Sequence, residues 1–318
     1  MAHPSVTVEQ FFKEHGAALQ LRLVAGEKNL KRIIREPTVN RPGLALSGFT
    51  RYFAHKRVQA VGHAEVYFLR SLATAERERH CADLFAFKIP CFVFSRSLRP
   101  DGEFLDAADR AGVPVFQTPL VTMKFINAAT FALETMFAPR GTELGSMVDI
   151  LGVGVLIRGE SGIGKSEAVL ALIDRGYSLV SDDVTRVTLQ DGREVIGTSS
   201  ELTRSHMEIR GIGIINVAAM FGIKSIRQEK RLDLVVTLKA WSEVGEVDRI
   251  GIEQEFDKVL GVDIPHIIIP VRPGRDLARL IEVAAFQTKL KMSGHNAAQE
   301  LNDRLIAQMS SAGQPPAK

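Results

Sequence analysis

The segment from residue 148 to 183 constrains this chain more than any other. VDILGVGVLI runs into GESGIGKS, then EAVLALIDR, then YSLVSDD. Val148 to Ile157 is apolar and β-branched, the pattern of a buried strand or, given Gly152 and Gly154, of a tight hairpin. Gly159 to Ser166 fits GxxxxGK[ST] in full. Gly159, Gly162 and Gly164 let the backbone curl until successive N–H groups point at one anion, a shape that a Cβ would obstruct. The helix that starts at Lys165 adds its positive N-terminal end, and Gly176 stands where a helix of this length closes. Gly159, Glu160, Ser161, Gly162, Ile163, Gly164, Lys165 and Ser166 are therefore expected to bind nucleotide. Lys165 would bridge the β- and γ-phosphates, with the Ser166 hydroxyl placed for Mg²⁺. The loop alone specifies only a nucleoside triphosphate or polyphosphate ligand.

The remaining patterns alternate strand-like and helix-like runs, so the fold class is α/β. Ile89 to Ser95 and Val113 to Thr118 are short β-rich runs joined by the helix-like FLDAADRAG, a βαβ signature that predicts a parallel sheet with helical cover. Thr7 to Gly16 and Thr74 to Phe87 read as helices, as does Thr122 to Phe137, stopped by Pro139 and Gly141. Across 318 residues, 45% of them apolar, there is material for two cores. The expected division is a small α/β domain over 1–130, carrying no catalytic constellation, and a second domain over 131–318. Later strands are expected at Ile212–Val217, Leu232–Lys239 and Ile264–Val271, with helices at Asp276–Met292 and Asn296–Met309 and a frayed tail, AQMSSAGQPPAK. Forty Lys+Arg against 37 Asp+Glu leave +3, too small an excess for a nucleic-acid partner. Neither a membrane span nor a signal-like h-region is visible, and Cys81 and Cys91 have no zinc spacing. These features predict a cytoplasmic protein.

The class of chemistry needs other residues. There is no NKxD and no LSGGQ, which weakens GTPase and ABC-ATPase readings. A kinase requires a carboxylate to take the acceptor's proton, metal ligands and a cation for the charge of the transferred group. Asp182 and Asp183 leave a strand-like run whose end would share an edge with the phosphate loop. Two adjacent carboxylates repel, which raises one pKa. Alone, such a pair better suits a turn or helix cap.

GESGIGKSE, LVSDDV, MEIRGIGIIN, VDRIG and PVRPGR, in that order, resemble the HPr kinase/phosphorylase family over essentially all of 131–318, with agreement in general layout before it. The resemblance implies a bifunctional protein-serine kinase/phosphorylase. It would phosphorylate a serine of HPr, the small phosphocarrier of the sugar phosphotransferase system, using ATP or pyrophosphate. It would also remove that phosphate with inorganic phosphate, releasing pyrophosphate. It further implies a P-loop kinase domain related to phosphoenolpyruvate carboxykinase, Mg²⁺ as cofactor and a hexamer. By resemblance, Asp183 is the base of the forward reaction and the acid of the reverse, Lys165 the loop lysine, Arg249 an active-site arginine, and Ser166 and Glu208 the Mg²⁺ ligands. Met207, Glu208, Ile209, Arg210, Gly211, Ile212, Gly213, Ile214, Ile215 and Asn216 form a segment serving both activities. Pro270, Val271, Arg272, Pro273, Gly274 and Arg275 form one tied to phosphorolysis, in which Arg272 and Arg275 would hold inorganic phosphate. One position departs from the pattern. Where the family carries His-Gly before the loop strand, this chain has Leu144-Gly145, and leucine neither binds phosphate nor moves a proton. A nucleotide sensor without turnover, or a kinase of another acceptor, is the competing expectation.

Overall fold

The computed structural model describes residues 5–244 and 254–312, with side chains as far as Gln308. The chain divides into two compact units, Met1–Ala138 and Pro139–Lys318. The division follows the end of the helix Thr122–Phe137, which lies wholly in the first unit; sequence patterning placed it near residue 130.

In the first unit, α1 (Val8–His15) is opened by Thr7. The Thr7 hydroxyl accepts from the Gln10 N–H at 3.1 Å while the Gln10 side chain accepts from the Thr7 N–H at 3.0 Å, a reciprocal cap. The chain then forms β1 (Arg22–Ala25), β2 (Val39–Asn40), β3 (Val58–Val61), α2 (His63–Ser71), α3 (Thr74–Phe85), β4 (Phe92–Phe94), α4 (Gly102–Ala111), β5 (Val115–Gln117) and α5 (Thr122–Phe137). The sheet order is β1-β5-β4-β3-β2. Its last four members are parallel, which confirms the βαβ expectation for β4–α4–β5. Alternate strand residues feed opposite cores. Val58, Ala60, Val93 and Phe116 meet α1 and α5, whereas Val61, Phe92, Phe94 and Val115 meet α2, α3 and α4.

The second unit begins with β6 (Arg140–Leu144), β7 (Ser146–Ile150) and β8 (Val153–Gly159), followed by α6 (Lys165–Asp174), β9 (Ser178–Ser181), β10 (Val184–Gln190) and β11 (Glu194–Thr198). A short hairpin, β12 (His206–Ile209) and β13 (Gly213–Asn216), leads to α7 (Val217–Phe221), β14 (Glu229–Arg231) and β15 (Leu234–Ala240). The chain ends with β16 (Glu255–Val259), β17 (Val262–Val271), α8 (Leu277–Met292) and α9 (Ala297–Ala312). The main sheet has the order β9-β7-β8-β15-β17-β16, parallel only at β8/β15 and β15/β17. The 148–157 run resolves as the hairpin alternative, β7 antiparallel to β8. β9 is antiparallel to β7, so it runs in the same direction as β8 and delivers residues 182 and 183 to the phosphate-loop edge. Val155, Ile157, Val236 and Leu238 pack on α6 and α8, while Leu156 and Val235 face a second sheet of order β14-β11-β10-β6. Two expectations need correction. The strand expected from Ile212 starts at Gly213, because 210–212 form the hairpin turn. Residues 307–312, expected to fray, continue α9. No described helix is long and apolar enough to cross a membrane.

Candidate active site

Two sheet neighbours create the phosphate loop. β8 ends at Gly159, level with Leu238 of β15, and a Cβ there would stand 2.8 Å from the Leu238 carbonyl oxygen. The chain turns through Gly162 (φ +87°) and Gly164 (φ +103°) into α6. The Lys165 Nζ donates to the carbonyls of Gly159 at 2.7 Å and Glu160 at 2.8 Å. These bonds hold the ammonium against the loop, ready to exchange two carbonyls for phosphate oxygens.

A cavity of about 180 Å³ opens in front of the loop. Ser161, Gly162, Gly164, Lys165, Ser166, Asp182, Asp183, Glu208 and Arg210, all expected from the sequence, line it together with Glu167. They come from four places: the loop, the start of α6, the end of β9 and the hairpin β12–β13. Alternation in β12 explains the last. Met207 and Ile209 are buried in the core, so Glu208 between them faces out, into the cavity that Ser166 also lines. Arg210, at the hairpin turn, donates to the Ser161 hydroxyl. Its Nη1 stands 2.8 Å from where a Cβ on Gly162 would be.

The two aspartates differ sharply. Asp182 is half-buried. Its carboxylate accepts from the Ser146 hydroxyl at 2.8 Å and from the Glu208 backbone N–H at 3.1 Å, tying β7, β9 and β12 together. Burial raises its pKa above the ordinary carboxylate value, and the charge of Asp183 adds to that; the two hydrogen bonds pull the other way. The repulsion expected from sequence is present, with desolvation the larger cause. Asp183 is exposed and sits at φ +57°, a left-handed conformation that Asp tolerates better than most residues. Its N–H donates to the Ser146 hydroxyl at 3.2 Å, and its carbonyl accepts from the Gly145 N–H at 2.8 Å. Asp182 is thus the fixed member and Asp183 the one exposed at the cavity. Nothing in the sequence singled out Ser146, because a serine heading an apolar strand carries no pattern.

Leu144 pairs with Val184 across β6 and β10 and is 76% exposed, beside Asp183. The remaining expected residues are dispersed. Ile163 and Ile215 pack against the core, and the Asn216 side chain caps α7 by accepting from the Ala219 N–H at 3.0 Å. Ile212 and Ile214 are 72% and 75% exposed. Gly159, Glu160 and the segment Pro270–Arg275 do not line the cavity. The Arg275 Nη1 donates to the Pro270 carbonyl at 3.0 Å and so secures the turn it was expected to serve as a phosphate ligand. The Arg272 guanidinium lies over the ring of Trp241, a residue that the sequence reading passed over. Arg249 lies outside the described residues. His206, which stands just before the Met207–Asn216 segment, has its Nδ1 2.9 Å from the Arg204 carbonyl oxygen.

Among the described residues no three His, Cys, Asp or Glu side chains form a metal-binding cluster. Mg²⁺ in phosphotransfer sites needs only one or two protein oxygens beside phosphates and water. The Ser166 hydroxyl and the Glu208 carboxylate, lining one cavity with the loop, meet that requirement.

Comparison with known proteins gives matches over nearly the whole chain. Residues 6–133 match the family described as HPr Serine kinase N terminus, and 135–305 the HPr Serine kinase C-terminal domain. An HPr kinase/phosphorylase of Leptospira biflexa is 39% identical over 96% of this chain and 95% of its own length. One from Geobacter sulfurreducens is 40% identical, with 96% of each chain covered. A solved HPr(Ser) kinase/phosphatase of Coxiella burnetii is 34% identical, over 51% of this chain and 98% of that one, with a TM-score of 0.47.

Proposed function

The chain belongs to the HPr serine kinase family, and on that premise we propose that it phosphorylates a serine of HPr with ATP or pyrophosphate and removes that phosphate by phosphorolysis. The observation that carries this reading is the meeting of Lys165, Ser166, Glu208 and the exposed Asp183 around one cavity. In the forward direction the Asp183 carboxylate takes the proton of the serine hydroxyl as its oxygen attacks the terminal phosphorus. The loop N–H groups and Lys165 hold the leaving group, ADP when ATP is the donor and inorganic phosphate when pyrophosphate is. In reverse an oxygen of inorganic phosphate attacks the phosphoserine phosphorus, Asp183 returns its proton to the departing serine oxygen, and pyrophosphate leaves. Ser166 and Glu208 would hold Mg²⁺, whose chemistry there is to neutralise charge on the phosphate oxygens. Arg210 reaches the loop from the hairpin, and Arg249 is assigned to stabilise the transferring group.

Family membership supports the finer parts of the proposal: a P-loop domain related to phosphoenolpyruvate carboxykinase formed by the second unit, a separate domain formed by the first, a hexamer, and a role in the cytoplasm. A second reading, nucleotide binding without turnover, is favoured by Leu144. An exposed leucine stands beside Asp183, at the place where the family carries a histidine.

The test is a mass shift on purified HPr. Wild-type enzyme with MgATP adds one phosphate to a serine, and excess inorganic phosphate then removes it with pyrophosphate release. Asp183→Ala loses at least ~100-fold in both directions, the scale of a general acid–base group. ATP binding without any mass gain would replace this proposal with the sensor reading.

A further inference from the structure

β15 and β17 run parallel with Ala240 level with Val271, so Trp241 and Arg272 leave the sheet side by side, at the edge where β8 delivers the phosphate loop. There the guanidinium carbon of Arg272 lies 3.1 Å from the centroid of the Trp241 ring. An arginine stacked in this way has its plane fixed and its N–H donors directed outward in a planar fork, the shape that matches a phosphate group. The turn beneath it is tied by hydrogen bonds. Besides the Arg275 guanidinium bond to Pro270, the Arg275 N–H donates to the Arg272 carbonyl at 3.2 Å, and Asp276 caps α8. The first residue of that helix, Leu277, reaches within 3.4 Å of the place a Cβ on Gly164 would occupy, so the turn is built against the phosphate loop.

We propose that Trp241 is a positioning residue for phosphorolysis, holding the Arg272 guanidinium in the plane in which it binds inorganic phosphate. This rests on the function proposed above. Trp241 acts on the reverse reaction through Arg272 and leaves use of ATP untouched, because the nucleotide phosphates are held by the loop.

Steady-state phosphorolysis of phosphoseryl-HPr, with the kinase reaction measured beside it, tests this in Trp241→Leu, Trp241→Phe, Arg272→Ala and the Leu/Ala double variant. Trp241→Leu raises KM for inorganic phosphate ~10-fold with kcat/KM for ATP within ~3-fold, and Trp241→Phe, which keeps a ring, restores KM to within ~3-fold. The double variant is no worse than Arg272→Ala, as it must be if one residue acts through the other. An unchanged KM in Trp241→Leu, or additive losses in the double variant, overturns the inference even if the wild type phosphorylates HPr. If the wild type phosphorylates and dephosphorylates nothing, the functional proposal fails separately. Trp241, the single tryptophan of the chain, then reports directly: a fluorescence change on phosphate titration that Arg272→Ala abolishes upholds the stack as a phosphate site, and no change overturns it.

Discussion

Asp182 and Asp183 are adjacent in sequence and have opposite physical situations. Asp182 is held by the Ser146 hydroxyl and the Glu208 N–H and is pushed towards its protonated form by burial. For an acid with a raised folded-state pKa, the unfolded chain releases the proton first as pH rises. Folding therefore becomes less favourable above the ordinary aspartate value, and the penalty is complete once pH passes the folded-state value. Asn at this position keeps the shape, can still accept from Glu208 and donates to the Ser146 oxygen. Asp182→Asn is therefore expected to melt close to the wild type near pH 4 and at a progressively higher temperature than the wild type as pH rises to 7. Parallel thermal melts across that range check it. A difference that shrinks with rising pH would mean that Asp182 is stabilised as the anion, contrary to the burial argument. The same residue shows what sequence left out. The DD pair was legible, and so was the repulsion, but which carboxylate is buried depends on Ser146, brought in from a strand 36 residues earlier.

At the scale of elements, legibility tracks locality. The cap at Thr7 and the loop between β8 and α6 are written in residues a few positions apart and form as their spacing dictates. The hairpin β12–β13 is different. The strand expected from Ile212 starts at Gly213 because residues 210–212 form the turn, and among the described residues the hairpin's two strands pair only with each other. A two-stranded ribbon is marginal by itself, so its position depends on Met207 and Ile209, both buried in the core under α6. Glu208 and Arg210 line the cavity only because those two anchors hold. Met207→Ala is expected to cost about 2–5 kcal/mol in denaturant unfolding. Under folding conditions it should also lower kinase turnover more than it weakens ATP binding, since the loop is intact and Glu208 is not. Met207→Leu, which conserves volume, should lose less than ~1.5 kcal/mol and keep its turnover. Stability lost in the alanine variant with turnover unchanged would show that the ribbon is held by something other than this anchor. Arg158 makes a comparable link, joining Glu143 of β6 to Asp257 of β16, and its partners are too far apart in sequence to be inferred before the sheets are known.

For the molecule as a whole, the chemistry gathers in one unit. All the cavity-lining residues lie between 161 and 210, while the first 138 residues contribute none of them. Each unit also closes its own cores. Phe11, Phe116, Phe125 and Leu133 meet within the first, and Val155, Leu172, Val236 and Ile281 within the second. A unit that buries its own apolar faces has what independent folding requires. The fragment 139–318 is therefore expected to be monodisperse, to melt in one cooperative transition and to bind MgATP with a Kd within ~3-fold of the full chain, because every described loop and cavity residue is retained. Calorimetric melting and titration with MgATP measure both properties on the same sample. Dye binding and a broad, heatless transition would show that the second unit's core is incomplete without residues 1–138. A sharp transition with ATP binding lost would instead place a nucleotide determinant in the first unit, where neither the sequence nor the cavity puts one.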